Sequence, residues 1–375
     1  MNTGNSRIIV IGVALCVVFA GTTSCVSNGR ARPAPTALAN AEESESAASA
    51  QLVRVGDAPF QGYVKPPILQ FINQTDGWLA VDRRLWRTRT GGKAWQIVYA
   101  SDDKLRFIDA IQFGNSGTGW ISVYDRIYRT EDRGDSWSLL TKPFPDGFIV
   151  QFRFQPDGKH GWVVGASKRA PKGFAETYSS VPDADGYRQL LSRTEDGGRT
   201  WHQMPFPSRK GISLWYLLDD EHAWAVGDEV FSWRNGSWVK NNDAPGCDAT
   251  EFLRNLHGGD SSSYPRSAYF LDSLRGWISF SSGYVAKTTD GGKTWCDLLN
   301  PRAVWSTPGL LTYFERLSFI DADRGWGLDG DGRVYLTGDG GASWSKPVPN
   351  VSFDNYSSES GQVFGISKDG LYTFR

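Results

Sequence analysis

The chain has 375 residues, with 40 Lys and Arg against 41 Asp and Glu and a formal net charge of -1. That balance excludes the basic field a nucleic-acid-binding surface needs, and it gives no pull toward an anionic lipid surface. Aromatic residues make up 13% of the chain, including 16 Trp, beside 42 Gly, which favours short strands and tight turns over helices.

The N-terminus is separate from the fold. Arg7 precedes the apolar run Ile8–Ala20, which is too short to span a bilayer comfortably and has the layout of a signal h-region. The stretch "GTTSC" that follows resembles a bacterial lipobox, although Thr22 stands where that pattern usually has Leu. The resemblance implies a signal peptide over 1–24, lipidation of Cys25, and export to a periplasmic or other extracytoplasmic face. Ordinary cleaved secretion and an uncleaved anchor are the alternatives. Residues 25–50 are rich in Ala, Ser, Pro and Glu without an apolar pattern, and read as a flexible tether. The body begins at residue 51 and forms a single domain to residue 375.

Within the body, a Gly-Trp or Ala-Trp pair opens a strand-like run six times: at Trp78, Trp120, Trp162, Trp224, Trp277 and Trp326. A second marker follows at a fixed distance. Trp78 and Trp95 lie 17 residues apart, as do Trp120 and Trp137, while Trp277–Trp295 and Trp326–Trp344 are separated by 18. Two markers locked together define a repeat. Runs such as "ILQFIN", "FIDAIQF" and "RLSFID" precede the first marker. Segments such as "RLWRT", "RIYRT" and "RVYLT" lie between the markers and alternate like half-buried strands, and runs such as "WQIVYA" follow the second. Each unit is therefore a four-stranded meander. Units of this length, repeated without helices, predict an all-β, seven-bladed β-propeller of four-stranded antiparallel blades. Unit four is degenerate, with "SWRNGSW" at 232–238. The seventh unit lacks a fourth strand, and "QLVRVGD" (51–57) is predicted to supply it and close the ring.

The second marker reads Thr-x-Asp-x-Gly-x-Ser/Thr-Trp. It comprises Thr130, Asp132, Gly134 and Trp137; Thr194, Asp196, Gly198 and Trp201; Thr288, Asp290, Gly292 and Trp295; and Thr337, Asp339, Gly341 and Trp344. In "KTTDGGKTW" the triplet Gly292-Lys293-Thr294 imitates a phosphate-binding loop. That loop needs a glycine where Lys287 stands, and the Lys293 slot holds Arg199, Asp135, Ala342 or Lys93 in the other copies. The marker is therefore a stiffened turn: Asp accepts backbone N–H groups, Gly supplies positive φ, and Trp packs between sheets. The first copy has Thr90 for Asp and Ala94 for Thr, so blade one is expected to be the loosest.

The marker resembles the Asp-box (BNR) repeat family. A single exported, Trp-rich propeller of this size is most similar to the photosystem II stability/assembly factor family. That resemblance implies a non-catalytic, lipid-anchored propeller that binds a membrane-associated protein; a monomer without cofactor, metal or nucleic acid is expected. Three long excursions (165–189, 240–267 and 300–316) leave one rim and form the candidate partner surface. They bring Lys168, Arg169, Tyr178, Tyr187, Arg188, Arg254, Arg266, Arg302, Trp305, Tyr313 and Arg316, an aromatic-plus-Arg mixture typical of interfaces. The loops instead packing on one another is the competing expectation.

The other function is a carbohydrate-active propeller. A sialidase-like reading finds no Arg-Ile/Leu-Pro tripeptide before the first marker, and a glycosidase needs paired carboxylates, for which Asp82, Asp125, Asp228 and Asp329 are the rim candidates. Asp329-Gly330-Asp331-Gly332 resembles the start of a calcium loop, but its twelfth position is Gly340. The four His have no metal-ligand spacing. Cys247 and Cys296 are either a disulfide pair or two free thiols.

Overall fold

The computed structural model describes residues 52–102, 106–168, 186–208, 212–227, 229–241, 264–299, 313–345, 347–348, 352–357 and 363–374. The signal segment, Cys25, the tether, Cys247, Asp228, Arg169, Tyr178, Arg254, Arg302 and Trp305 lie outside them. The described residues form 27 strands and contain no helix. Strand β1 spans Leu52–Gly56. Blade one is β2–β5: Ile68–Phe71, Gly77–Val81, Arg84–Thr88 and Gln96–Ala100. Blade two is β6–β9: Ile108–Phe113, Gly119–Val123, Arg126–Thr130 and Ser138–Leu139. Blade three is β10–β13: Phe148–Phe154, Gly161–Ser167, Arg188–Thr194 and His202–Gln203. Blade four is β14–β17: Ile212–Leu217, Ala223–Gly227, Val230–Arg234 and Ser237–Lys240. Blade five is β18–β21: Pro265–Phe270, Gly276–Phe280, Val285–Thr288 and Cys296–Leu299. Blade six is β22–β24: Phe314–Phe319, Gly325–Asp329 and Val334–Thr337. Blade seven holds β25–β27: Asn355–Ser357, Phe364–Ser367 and Gly370–Phe374.

All the sheets are antiparallel, and blade seven runs β1-β27-β26-β25. Leu52 pairs with Phe374, Val53 with Thr373 and Arg54 with Tyr372, so the first strand of the body completes the last blade. The sheet of blade six has three strands. The chain beyond Trp344 still runs beside β24, with the Ser345 N–H on the Leu336 carbonyl at 2.8 Å and the Val348 N–H on the Val334 carbonyl at 2.9 Å.

The joints between blades explain the first marker. In five of the seven, an aromatic ring at the end of the innermost strand is a wedge: Phe71, Phe113, Phe154, Phe270 and Phe319. One face of the wedge stacks on a ring of the preceding blade. The ring centroids are 3.9 Å apart for Trp78–Phe113, 4.2 Å for Trp120–Phe154, 3.6 Å for Trp224–Phe270 and 3.7 Å for Trp277–Phe319; Phe364 takes the Trp position against Phe71 at 3.8 Å. The wedge also lies against the glycine before its own blade's Trp. A β-carbon on Gly119 would come within 2.2 Å of Phe113, and one on Gly276 within 2.4 Å of Phe270. The second-marker Trp meets the wedge edge-on, as Trp137 does Phe113 at 6.1 Å and Trp295 does Phe270 at 6.0 Å. In blade four the wedge is the smaller Leu217, and there the glycine has become Ala223. Each joint buries one hydrophobic cluster, so the ring closes without a gap.

The third strands depart from the half-buried pattern. In β4 only Arg84 is exposed, and Arg87 is 5% exposed. Neighbouring blades cover both faces of a sheet, so Arg87 is buried and its counterparts Arg129, Arg193 and Lys287 are partly buried. Their charged ends escape at the joint: Arg87 Nη1 donates to the Arg133 carbonyl at 3.1 Å, and Lys287 lies over the Trp277 ring at 5.1 Å.

The turns between third and fourth strands share one hydrogen-bond pattern. Thr288 Oγ1 donates to Asp290 Oδ1 at 2.9 Å and accepts the Gly292 N–H at 2.8 Å. Asp290 accepts the Thr294 N–H at 2.9 Å and the Thr294 hydroxyl at 2.6 Å. The turns at Thr130–Ser136, Thr194–Thr200 and Thr337–Ser343 repeat it. In blade one the Thr90 hydroxyl takes the place of the carboxylate, accepting the Ala94 N–H at 2.9 Å. Blade four dispenses with the turn, and Asn235 (φ 50°) and Gly236 (φ 76°) make a tight hairpin there. Second-strand indoles reach across the joint to these turns: Trp224 Nε1 donates to the Gly291 carbonyl at 2.9 Å and Trp277 Nε1 to the Gly340 carbonyl at 2.8 Å. Partial burial opposes ionisation of Asp196, but the Thr200 side chain and N–H, the Thr194 hydroxyl and the Arg199 N–H outweigh it and hold the carboxyl down to about 2. The carboxyls of Asp290 and Asp339 are also lowered, and that of Asp132 falls furthest, held chiefly by the Ser136 hydroxyl.

Three outcomes test this account. Gly119→Ala should cost about 1–3 kcal/mol in urea unfolding, because the new methyl has to displace the Phe113 wedge. A carboxyl whose pKa is lower in the folded state stabilises above its unfolded value near 4 and loses that contribution as pH falls. The melting temperature should therefore hold from pH 7 to about 5 and fall between about 4 and 2, and Asp196→Asn should shallow the fall; an unchanged slope would count against the turn. Removing residues 1–56 opens β27 as an edge and should lower the melting temperature and produce aggregates on size-exclusion chromatography. Removing only residues 1–50 should do neither.

Candidate functional site

Two surfaces have the chemistry to recognise something else. Turns between first and second strands lie beside the Thr-x-Asp turns, as the Gly291 N–H on the Leu274 carbonyl at 2.7 Å attests. Turns between second and third strands, and the connections between blades, lie on the opposite, loop face. The described rim residues gather on that face in two places.

The first place is over blades five and six. Arg266 lies between two tyrosines, 4.5 Å from the Tyr264 ring and 4.7 Å from that of Tyr313, and pairs with Glu315 at 3.0 Å. Its Nε is buried without a hydrogen-bond partner. Burial, and then Glu315, push the Tyr313 hydroxyl up. The second place is over blades two and three. Lys168 sits 4.7 Å from the Tyr187 ring, which meets Phe148 edge-on at 5.6 Å. Arg188 opens β12, opposite Ser167. Arg316 does not join either group; it lines the axis of the ring.

The axial chamber is about 760 Å³ and opens on the turn face. Its wall includes residues from the innermost strands of blades two to seven, among them the residue before each wedge from Gln112 round to Ser318. Several of these form a belt. Gln70 Nε2 donates to the Phe113 carbonyl at 3.2 Å and its Oε1 accepts the Phe113 N–H at 2.7 Å; Gln112 repeats the pair on Phe154 at 2.6 and 2.7 Å. The Tyr216 and Tyr269 hydroxyls donate to the Phe270 and Phe319 carbonyls, both at 2.8 Å. Burial pushes the Tyr356 hydroxyl well up, while Arg316 pulls it the other way. The sequence pattern missed this belt, since its members are Gln, Arg, Tyr and Ser. A first-strand position next to a repeating Phe was the signal available.

The carboxylates are committed. Asp82 Oδ1 accepts the N–H groups of Val64 and Lys65 at 2.9 and 3.1 Å. Asp125 is shared by Arg106 at 2.9 Å and by Lys142; burial opposes its ionisation, but these cations outweigh it and lower its pKa. Asp329 is buried and accepts from the Asp331 and Arg333 N–H groups, both at 2.9 Å, and from the Tyr335 hydroxyl at 3.0 Å. The Tyr335 hydroxyl is pushed up to about 12, first by burial and then by Asp329. His160 and His222 each bond the Asp three residues earlier in a first-to-second-strand turn. No group of three or more metal-ligating side chains occurs among the described residues. Cys296 is disulfide-bonded. Its partner lies outside the described residues, as do Cys16, Cys25 and Cys247.

No family model matches this chain, and no curated protein does. Solved structures share its fold. YCF48 bound to a D1 peptide superposes with a TM-score of 0.59 at 19% identity, covering 86% of this chain and 95% of that one. YCF48 from Cyanidioschyzon merolae gives 0.55 at 17% identity, covering 87% and 99%. A streptogramin B lyase gives 0.59 at 10% identity, covering 87% and 97%. At these identities the likeness is one of architecture, a seven-bladed propeller.

Proposed function

We propose that the chain is a non-catalytic propeller scaffold that binds a membrane-associated protein as an assembly or stability factor, held by a lipid on Cys25 at the extracytoplasmic side of a membrane. The observation that carries this reading is the likeness, over 86% of the chain, to a propeller whose structure holds a peptide of another protein. The sequence resemblance to the photosystem II assembly factors points the same way. So does the loop face, where aromatic rings and cations meet in the mixture that interfaces favour. The chain works as a monomer, and Cys296 pairs with Cys247 across the connection between blades four and five.

The lyase likeness raises the enzymatic alternative. A glycoside hydrolase needs two carboxylates about 5–10 Å apart, one of them kept protonated. Asp82, Asp125 and Asp329 instead spend their oxygens on N–H groups, cations or a phenol, and Asp125 is driven toward ionisation. That arrangement favours the scaffold.

The test is affinity capture by the full-length protein from detergent-solubilised membranes, with cross-linking and mass spectrometry. A specific membrane protein retained over a mock column is expected. Retention of none, together with turnover of a sialoside or a glucan, overturns the proposal.

A further inference from the structure

The axial chamber carries charge of one sign. Its lining includes Arg153 and Arg316 but, among the described residues, no Asp or Glu. Blades three and six stand on opposite sides of a seven-bladed ring, so the two guanidiniums charge facing walls. Their depths differ. Arg153 immediately precedes the wedge Phe154, whereas Arg316 stands three residues before Phe319. That is one strand period, about 7 Å, further in from the turn face. Gln151 holds in blade three the position that Arg316 holds in blade six, and it too lines the chamber.

Arg316 differs from its neighbours because the fold does not use it. Gln112 spends its amide on Phe154, the Tyr216 and Tyr269 hydroxyls go to carbonyls of the next blade, and Ser267 Oγ accepts the Leu317 N–H at 3.1 Å. Those bonds tie one blade to the next. Among the described residues Arg316 makes no hydrogen bond and no ion pair. Its charge registers on the Tyr356 hydroxyl, which burial pushes up and Arg316 pulls down. Gln151 makes no side-chain hydrogen bond among the described residues either. An arginine that supports nothing in its own fold, set in a concave wall, is available to a ligand.

The carboxylates near the chamber are committed elsewhere. In the turns around its mouth, Asp76 pairs with Arg133 at 3.1 Å, Asp220 with Arg193 at 3.1 Å, Asp272 with Arg275 at 2.6 Å and Asp321 with Arg324 at 2.8 Å. Asp157 and Asp219 bond the His160 and His222 rings, and Glu221 and Asp323 are exposed. On the first strands, Lys65 holds Asp109 and Arg266 holds Glu315. Asp354, the blade-seven counterpart of Arg316, accepts the Tyr63 hydroxyl at 2.6 Å and lines a different cavity. The wall therefore keeps two guanidiniums without a counter-charge among the described residues, and its concave shape focuses their field.

We propose that the axial chamber is a binding site for a small organic anion, whose carboxylate or phosphate sits on the Arg316 guanidinium with Gln151 on the facing wall. At about 760 Å³ the chamber suits a compact small molecule, and Tyr216, Tyr269 and Tyr356 in its wall give the rest of the ligand aromatic surface to lie on. Arg153, nearer the mouth, draws the anion in. The site is separate from the loop face, so it stands or falls apart from the scaffold reading.

The test is isothermal titration calorimetry of the full-length protein at fixed ionic strength. Phenyl phosphate, benzoate and citrate are the anionic probes, with benzyl alcohol and benzylamine as neutral and cationic ones. At least one anion is expected to bind about tenfold or more tighter than benzyl alcohol, with benzylamine weakest. Phenyl phosphate against benzoate tells which head group the site prefers. Arg316→Gln should weaken the best anion at least about tenfold and leave the melting temperature of the free protein unchanged. Lys293→Gln, at an exposed turn-face lysine outside the chamber, should bind as the parent does. Anions that bind no tighter than benzyl alcohol overturn the proposal, as does an Arg316→Gln variant that keeps the parent's affinity. Equal losses in Arg316→Gln and Lys293→Gln also overturn it, since they mark diffuse surface attraction. So does an Arg316→Gln variant that melts lower, because the arginine would then be structural.

Discussion

One contact recurs around the ring and organises it: a phenylalanine ring pressed between a glycine of its own blade and an aromatic ring of the blade before. The glycine is a packing requirement, since a methyl at Gly119 would overlap Phe113. Flat stacking at 3.6–4.2 Å is closer than most aromatic pairs, and it fixes how far apart neighbouring sheets stand. The Thr-x-Asp turn is subordinate to this wedge. It holds the second-marker Trp edge-on against the wedge, and its carbonyls receive indoles from the preceding blade at Trp78, Trp224 and Trp277. Local turn chemistry and inter-blade packing are thereby coupled, and a blade that loses one tends to lose the other. Blade four has neither the turn nor the phenylalanine. It compensates with Trp162, Trp215, Trp233 and Trp238 packed edge to face.

That coupling also divides the molecule by face. On the turn face the Asp and Thr side chains of the turns are spent on local N–H groups and hydroxyls. The chain is free to vary on the loop face, where second and third strands join and where blades connect. Strain appears there as well: Asp82 and Tyr124 occupy the same left-handed position in successive blades. The propeller is thus a stiff ring that holds variable loops in fixed relative positions. A scaffold needs this, and it places rings from distant segments, such as Phe148 and Tyr187, in contact.

The repeat was open to sequence reasoning because each unit carries its own turn and its own strand spacing. Both are local, so Gly-Trp, the Thr-x-Asp turn and the missing seventh fourth strand can be read directly from the residue order. The exposure of the third strands was misjudged, because alternation in "RLWRT" looks half-buried until blades stack on both sides of it. The site was less legible. Tyr187 and Lys168 stood out in a long excursion, but the sequence places Arg316 in an excursion too, and the register of β22 puts it on the axis instead. Gln70, Gln112 and Tyr216 share a position without sharing a residue type.

Sequence by itself determined the number of blades, the closure through residues 51–57 and the chemistry of each turn, because these follow from short-range preferences repeated along the chain. Tertiary structure alone decided which ring each tryptophan stacks on, where Arg87 and its partly buried counterparts place their charge, and which loop residues become neighbours. Those depend on contacts between blades, and a contact across a joint leaves no period in the sequence that either partner reveals alone.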